Sequence, residues 1–264
     1  VKFFVRLLVC LGLAIVTQVG AVSYLLSMLL CRVSKITKLY YAFAINLAMY
    51  ALLTVAVVPY VAPLFGREPV VHLTNVKPLN MWLTVGLNRN YVVPELNKAL
   101  IEIAGNLEQQ QPALSLNILD ANFPFLNRFP LLPHLSHNDG RKIDLSYVYQ
   151  DGYGKPSHFT PSVSGYGVFE WPGLIETNTS AFCRENGYFQ YNYSRYLTLG
   201  QHHPELSFSN QYNKQLIETL LKNTAISKIF IEPHLVERLQ LDDSRIRFHG
   251  CKSVRHDDHI HIQI

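Results

Sequence analysis

The sequence predicts an α+β fold, an antiparallel sheet with flanking helices, preceded by an N-terminal two-helix transmembrane hairpin. Three observations lead there. Two uncharged runs, Leu7 to Cys31 and Leu39 to Gly66, fill the front quarter of a 264-residue chain. Beyond residue 80, segments with helical apolar spacing alternate with short runs of strand-like alternation. Their order, helix, strand, strand, loops, helix, strand, short helix, strand, suits an antiparallel sheet with helices on it.

Each uncharged run is long enough to cross a hydrocarbon core of about 30 Å as a helix. Both exceed the apolar length of about 7–15 residues usual in a signal peptide. The linking segment Arg32–Lys38 carries three cations and no acid. That favours a cytoplasmic loop and an external C-terminal domain, although Lys2 and Arg6 nearly balance it. Tyr40, Tyr41 and Tyr60 flank the second run as interfacial anchors do. The expected division is a hairpin over 1–66, a connector over 67–80 and a folded domain over 81–264.

Pro63 and the polar connector stretch from Arg67 to Pro78 precede Met81-Trp82-Leu83-Thr84-Val85, read as a strand or docking segment beside the membrane. Pro94 suits a helix's first turn, and Leu96, Leu100, Ile101, Ile103 and Leu107 make the following segment amphipathic. Leu114 to Ala121 and Lys142 to Tyr149 alternate as strands. Gln150 to Pro204 is dense in Gly, Pro, Ser, Asn and aromatics, which predicts long surface loops. Asn210 to Lys222 reads as a helix, Lys228 to Pro233 as a strand, and Pro233 to Leu241 as a short helix.

Two stretches carry the candidate chemistry. At the C-terminus, His256-Asp257-Asp258-His259-Ile260-His261 places three histidines within six residues. Strand alternation would turn His259 and His261 to one face and the isoleucines to the other. Upstream, Ser136-His137-Asn138-Asp139-Gly140-Arg141-Lys142-Ile143-Asp144 sets a loop histidine before a strand aspartate, with Gly140 as the turn between them. A catalytic zinc uses three protein ligands and keeps a position for water, whose pKa falls to about 7. His137, Asp144 and His261 would supply two imidazoles and a carboxylate, leaving His259 and His256 as unliganded groups. A neutral His259 could then move the water's proton and a protonated His256 stabilise the oxyanion, or the two roles could be exchanged.

Pro133 to Gly140, ending in Ile143-Asp144, together with His256 to His261, resembles the penicillin-insensitive murein endopeptidase family. That family lies within the lysostaphin, D-Ala-D-Ala metallopeptidase and hedgehog-like zinc peptidases. The resemblance covers about Leu96 to Ile264. It implies a Zn2+ site of His137, Asp144 and His261 with His259 and His256 catalytic, on a sheet-and-helix domain over 81–264. It also implies hydrolysis of peptidoglycan peptides, at the cross-link between D-alanine and a diamino acid. Arg141, Lys142, the tyrosine-rich stretch 151–204 and the two spans depart from the family's pattern. With the hairpin, the expected enzyme is a periplasmic domain anchored in the cell inner membrane. The alternatives are a non-catalytic wall-binding or assembly module of the same fold, or a D-Ala-D-Ala carboxypeptidase.

Other residues have weaker readings. His134 is either a partner of the site or a satisfied loop histidine. His202 and His203, adjacent in an extended chain, should face opposite ways and not share a metal. Asp257 and Asp258 could orient imidazoles, as carboxylates do at metal sites, or form a solvated turn. An external location would allow a Cys183–Cys251 disulfide, the alternative being two unrelated buried thiols. The formal charge of +4, with no basic cluster interleaved with aromatics, argues against nucleic acid.

Overall fold

The computed structural model describes residues 2–264. In chain order the helices are α1 (Lys2–Thr17), α2 (Val19–Val33), α3 (Leu39–Leu52), α4 (Val58–Val61), α5 (Met81–Thr84), α6 (Pro94–Gln110), α7 (Thr179–Glu185), α8 (Asn210–Lys222) and α9 (Pro233–Leu239). The strands are β1 (Glu68–Pro69), β2 (Val76–Pro78), β3 (Tyr91–Val92), β4 (Leu116–Asp120), β5 (Lys142–Ser146), β6 (Tyr149–Gln150), β7 (Pro156–Ser157), β8 (Ser207–Phe208), β9 (Lys228–Phe230), β10 (Ile246–Arg247) and β11 (His259–Gln263). They form two compact units.

The first unit contains the N-terminal 70 residues, Met81–Pro94 and Ala121–Arg141. Here the expected pair of membrane-length helices is corrected to one. Among the described residues one helix, Leu39–Phe65, is long and apolar enough to cross a membrane. The first run breaks at Gln18, whose φ is +55°. Thr17 explains the break: its hydroxyl donates to the Leu13 carbonyl and accepts the Gly20 N–H at 2.7 Å, taking that donor out of the helical ladder. A Cβ on Gly20 would meet Thr17 Oγ1 at 2.8 Å, so the contact needs glycine. At about 1.5 Å per residue, the resulting helices reach only roughly 24 and 22 Å. Beyond the break, Ser23 and Ser27 of α2 donate to Asn46 Oδ1 of α3, and such small residues let helices approach closely.

Of the two readings of Met81 to Val85, the strand is corrected: Met81–Thr84 form α5. The N–H groups of Val85 and Gly86 both return to the Met81 carbonyl, at 3.0 and 2.8 Å, closing a helical turn. Val19, Val58, Ala62 and Tyr91 form the unit's buried cluster, with Tyr50, Leu53 and Phe125 packed on it.

The second unit holds a six-stranded sheet in the order β10-β9-β11-β5-β4-β2. The four central strands are antiparallel as expected. Both outer pairs, β10 with β9 and β2 with β4, are parallel, so the sheet is mixed and not wholly antiparallel. β11 lies centrally because Ile260 and Ile262 are both fully buried, while His259 and His261 occupy the opposite face of the pleat. Helix α6 buries Leu96, Leu100, Ile103 and Leu107, and α8 buries Leu216, Ile217 and Leu220. Thr219 of α8 donates to Gln110 of α6, and Asn223, just beyond α8, donates to Glu102 of α6.

The stretch from 150 to 204 is more ordered than the long surface loops expected of it. It contains α7, a 3-10 segment Phe189–Tyr196 and β7, which joins β6 and β8 at the ends of the stretch in a small sheet of order β7-β6-β8. Buried Arg255 supplies the order. Its guanidinium donates to Ser180 Oγ and Asn192 Oδ1, pairs with Asp257, and lies 4.0 Å from the Phe169 ring centroid and 4.4 Å from that of Trp171. A Cys183–Cys251 disulfide, with its Cα atoms 5.2 Å apart, ties the same stretch to the segment entering β11.

Candidate metal centre

Strand register builds the centre. His261 of β11 stands opposite Asp144 of β5, and His259 opposite Ser146. His261 Nδ1 lies 2.8 Å from Asp144 Oδ1, and since a carboxylate accepts, the proton belongs to the imidazole nitrogen. The amide of Gln263 reaches His261 Nε2 at 3.2 Å, which agrees with that tautomer. Asp144 Oδ2 accepts the Tyr166 hydroxyl at 2.9 Å and lies 3.9 Å from His259 Nε2.

His259 is fixed from its other side. Its Nδ1 lies 2.5 Å from Asp258 Oδ1, and Asp258 Oδ2 accepts the Gly167 N–H at 2.7 Å. Gly167 has a φ of +82°, and a Cβ there would meet the Ser194 carbonyl oxygen at 2.3 Å. Burial pushes the His259 imidazolium toward losing its proton, but the Asp258 and Asp144 carboxylates outweigh burial and raise its pKa to about 9.

His256 has the opposite electrostatics. Burial, followed by the neighbouring His259, His261 and His249 imidazoles, holds it well below the usual histidine range. Its ring centroid is 4.8 Å from that of His259. The backbone N–H of His256 donates to Glu232 Oε1 at 3.0 Å, and its backbone carbonyl accepts the Tyr147 hydroxyl at 3.0 Å.

His137 Nδ1 donates to the Ala121 carbonyl at 2.7 Å, which puts the ring's lone pair on Nε2. His134 of the same loop is buried too, its ring centroid 5.5 Å from that of His137, and both are residue types that could hold a metal ion, as is buried Asp144 of the second unit. Of the expected ligand set, Asp144 and His261 pair within the second unit, and His137 lies in the first.

Sequence reasoning missed Tyr166, Glu232 and His249. Tyr166 sits between two glycines, Gly165 and Gly167, both at positive φ, and that pattern was the one signal available for it. Glu232 was seen only as a strand end, yet it is buried and also accepts from Tyr191 and Thr179. The His249 ring lies 5.4 Å from that of His256. Asp257, expected beside an imidazole or in a turn, is salt-bridged to Arg255 with His234 Nε2 at 3.7 Å. His202 and His203 do not face opposite ways: their ring centroids are 4.4 Å apart, and His203 Nδ1 meets Glu205 at 3.1 Å. The chain there is irregular, so the alternation of an extended strand does not apply.

No protein-family model matches the chain, and no curated protein matches it.

Proposed function

We propose that this chain is a membrane-anchored zinc metallopeptidase that hydrolyses D-alanyl cross-links in peptidoglycan. The observation that carries the reading is the buried pairing of His261 with Asp144 across central strands, with His259 next to them and backed by Asp258. Burying such groups costs about 1–3 kcal/mol for each polar atom left unsatisfied, and more for charged ones. A fold that gathers imidazoles and a carboxylate in its core is therefore read as serving a site.

The donor set fits the ion. Nitrogen and carboxylate oxygen ligands with an open position are those of hydrolytic zinc. His137, Asp144 and His261 would hold it, with buried His134, on the same loop as His137, a third imidazole. When bound, zinc would polarise the scissile carbonyl and acidify a water. The surroundings of the two remaining histidines favour the exchanged roles. His256 would accept the proton of the attacking water and return it to the leaving amine, while His259, with its Nδ1 backed by Asp258, would donate from Nε2 to the developing oxyanion.

The anchor in this reading is the helix Leu39–Phe65. Only 11% of its most apolar window is buried, unlike the core helix of a soluble protein. Exposed Phe3, Phe4, Leu8 and Leu11 of α1 and Leu25 and Leu29 of α2 enlarge the apolar surface beside it. The Cys183–Cys251 bond supports an oxidising, external compartment for the second unit.

Mass spectrometry of cross-linked muropeptides incubated with the detergent-solubilised full chain and Zn2+ tests the proposal. Conversion of dimers to monomers with a new amine is expected. Loss of terminal D-alanine alone would point to a carboxypeptidase, and intact muropeptides to a non-catalytic wall-binding module.

A further inference from the structure

The first unit contains more than helices. The loop Ala121–Arg141, which carries His134 and His137, is folded onto them. Gln18, at the break between α1 and α2, accepts the Phe125 N–H on its Oε1 at 3.2 Å. The Phe125 ring packs on the cluster of Val19, Val58, Ala62 and Tyr91, 5.1 Å from that of Phe65. Directly after the long helix, buried Arg67 reaches into the loop. One guanidinium nitrogen donates to the Phe123 carbonyl, and another donates to Asn127 Oδ1 at 2.6 Å and to the Asn138 carbonyl at 3.3 Å. Asn138 is the residue after His137.

A planar guanidinium buried among fixed oxygens holds them in a set geometry that a lysine ammonium cannot reproduce. Gly140 closes the same arrangement. Its φ is +82°, and a Cβ there would lie 3.0 Å from Val93 Cγ1 and 3.1 Å from Arg67 Nε. Behind the clamp, the Asn88 amide donates to Tyr50 Oη and Thr54 Oγ1 of the long helix, and the Tyr50 hydroxyl donates to the Gly86 carbonyl.

We propose that the N-terminal helices are a positioning device for the metal-ligand loop, with Gln18 and Arg67 as the positioning residues that set where His134 and His137 sit. The helices are then part of the metal site's scaffold as well as an anchor. This rests on the reading of His137 as a ligand.

The test uses the full chain in lipid nanodiscs as wild type, Arg67→Met, Arg67→Lys and Gln18→Ala. It reads amide hydrogen exchange of the metal-free protein and Co2+ binding by visible absorption. Arg67→Met and Gln18→Ala are expected to speed exchange across 121–138, leaving Lys142–Ser146 and His259–Gln263 as protected as in wild type. Co2+ affinity should fall about tenfold or more, with a changed absorption band, as for the loss of residues that orient ligands. Arg67→Lys, which keeps the charge without the fork, should behave like Arg67→Met. Unchanged exchange together with an unchanged Co2+ band would overturn the inference. If Arg67→Met does not fold, Gln18→Ala decides, since it deletes only one hydrogen bond to the loop. A wild-type chain that binds no Co2+ would sink the metal reading, and exchange across 121–138 would then decide the positioning inference by itself.

Discussion

His261 Nδ1 and Asp144 Oδ1 meet at 2.8 Å across the central strand pair of the sheet, although the residues are 117 positions apart in the chain. The contact follows from register, since each is the other's Cα partner on β11 and β5. Removing either side chain should therefore remove the centre. We expect about one zinc per chain in wild type and less than a tenth of that in Asp144→Ala and His261→Ala, measured by elemental analysis after dialysis against a weak chelator. Full occupancy in both variants would exclude these residues as ligands.

Asp258 holds His259 Nδ1 and is not among the proposed ligands, so in the proposed enzyme Asp258→Asn should separate metal binding from turnover. Zinc content should stay at the wild-type level while kcat falls about 10- to 100-fold, the usual range for a partner of this kind. His259→Ala should abolish turnover and still keep zinc. A loss of zinc in His259→Ala would place that residue among the ligands.

Gly167→Ala probes the strap over Asp258. Its positive φ and the 2.3 Å approach of a new Cβ to the Ser194 carbonyl oxygen leave alanine no relaxed conformation. A destabilisation of about 1–3 kcal/mol is expected from the backbone alone. Urea denaturation should show it, and a midpoint equal to wild type would mean that the turn is not held as described.

The disulfide closes a span of 68 residues between α7 and the approach to β11. Loop-closure arguments give about 4 kcal/mol for a loop of that size, and measured native bridges are commonly worth about 2–5 kcal/mol. Cys183→Ser should lower the thermal midpoint accordingly. Reduction of the wild type should produce the same shift, and failure of reduction to do so would show that the bond contributes little.

Arg238 donates to Glu176 through two nitrogens, at 2.8 and 2.6 Å, and this bonding depresses the Glu176 pKa to about 2. A depressed carboxylate contributes stability that is present above its unfolded pKa and lost as pH falls through its folded one. The contribution should therefore fade between about pH 4.5 and 2. The pair is partly exposed, so the effect is small. Urea midpoints of wild type and Arg238→Ala should converge across that window, and a constant gap down to pH 2 would contradict the assignment.

Much of the secondary structure was legible in the chain because it depends on local spacing. Apolar residues three and four apart mark α6 and α8, with α8 found over the predicted Asn210–Lys222. Strict alternation marks β11 and so determines by itself that His259 and His261 share a face. Charge-free length marks the helix Leu39–Phe65. The break at Gln18 was not legible, because it depends on one threonine hydroxyl competing with the helix ladder and on Phe125, more than 100 residues away, supplying a donor.

For the site, the sequence determined the inventory of imidazoles and carboxylates and the local order within each motif. Tertiary structure decided the assembly. The register of β11 on β5 pairs His261 with Asp144, the Asp258 and Asp144 carboxylates raise the His259 pKa against the effect of burial, and burial beside other imidazoles lowers that of His256. No spacing rule reports on Tyr166, Glu232 or Arg67, whose roles come from partners 22, 24 and 56 or more residues away. Their polar atoms find those partners only when the chain closes and water leaves, the physical step that local periodicity does not encode.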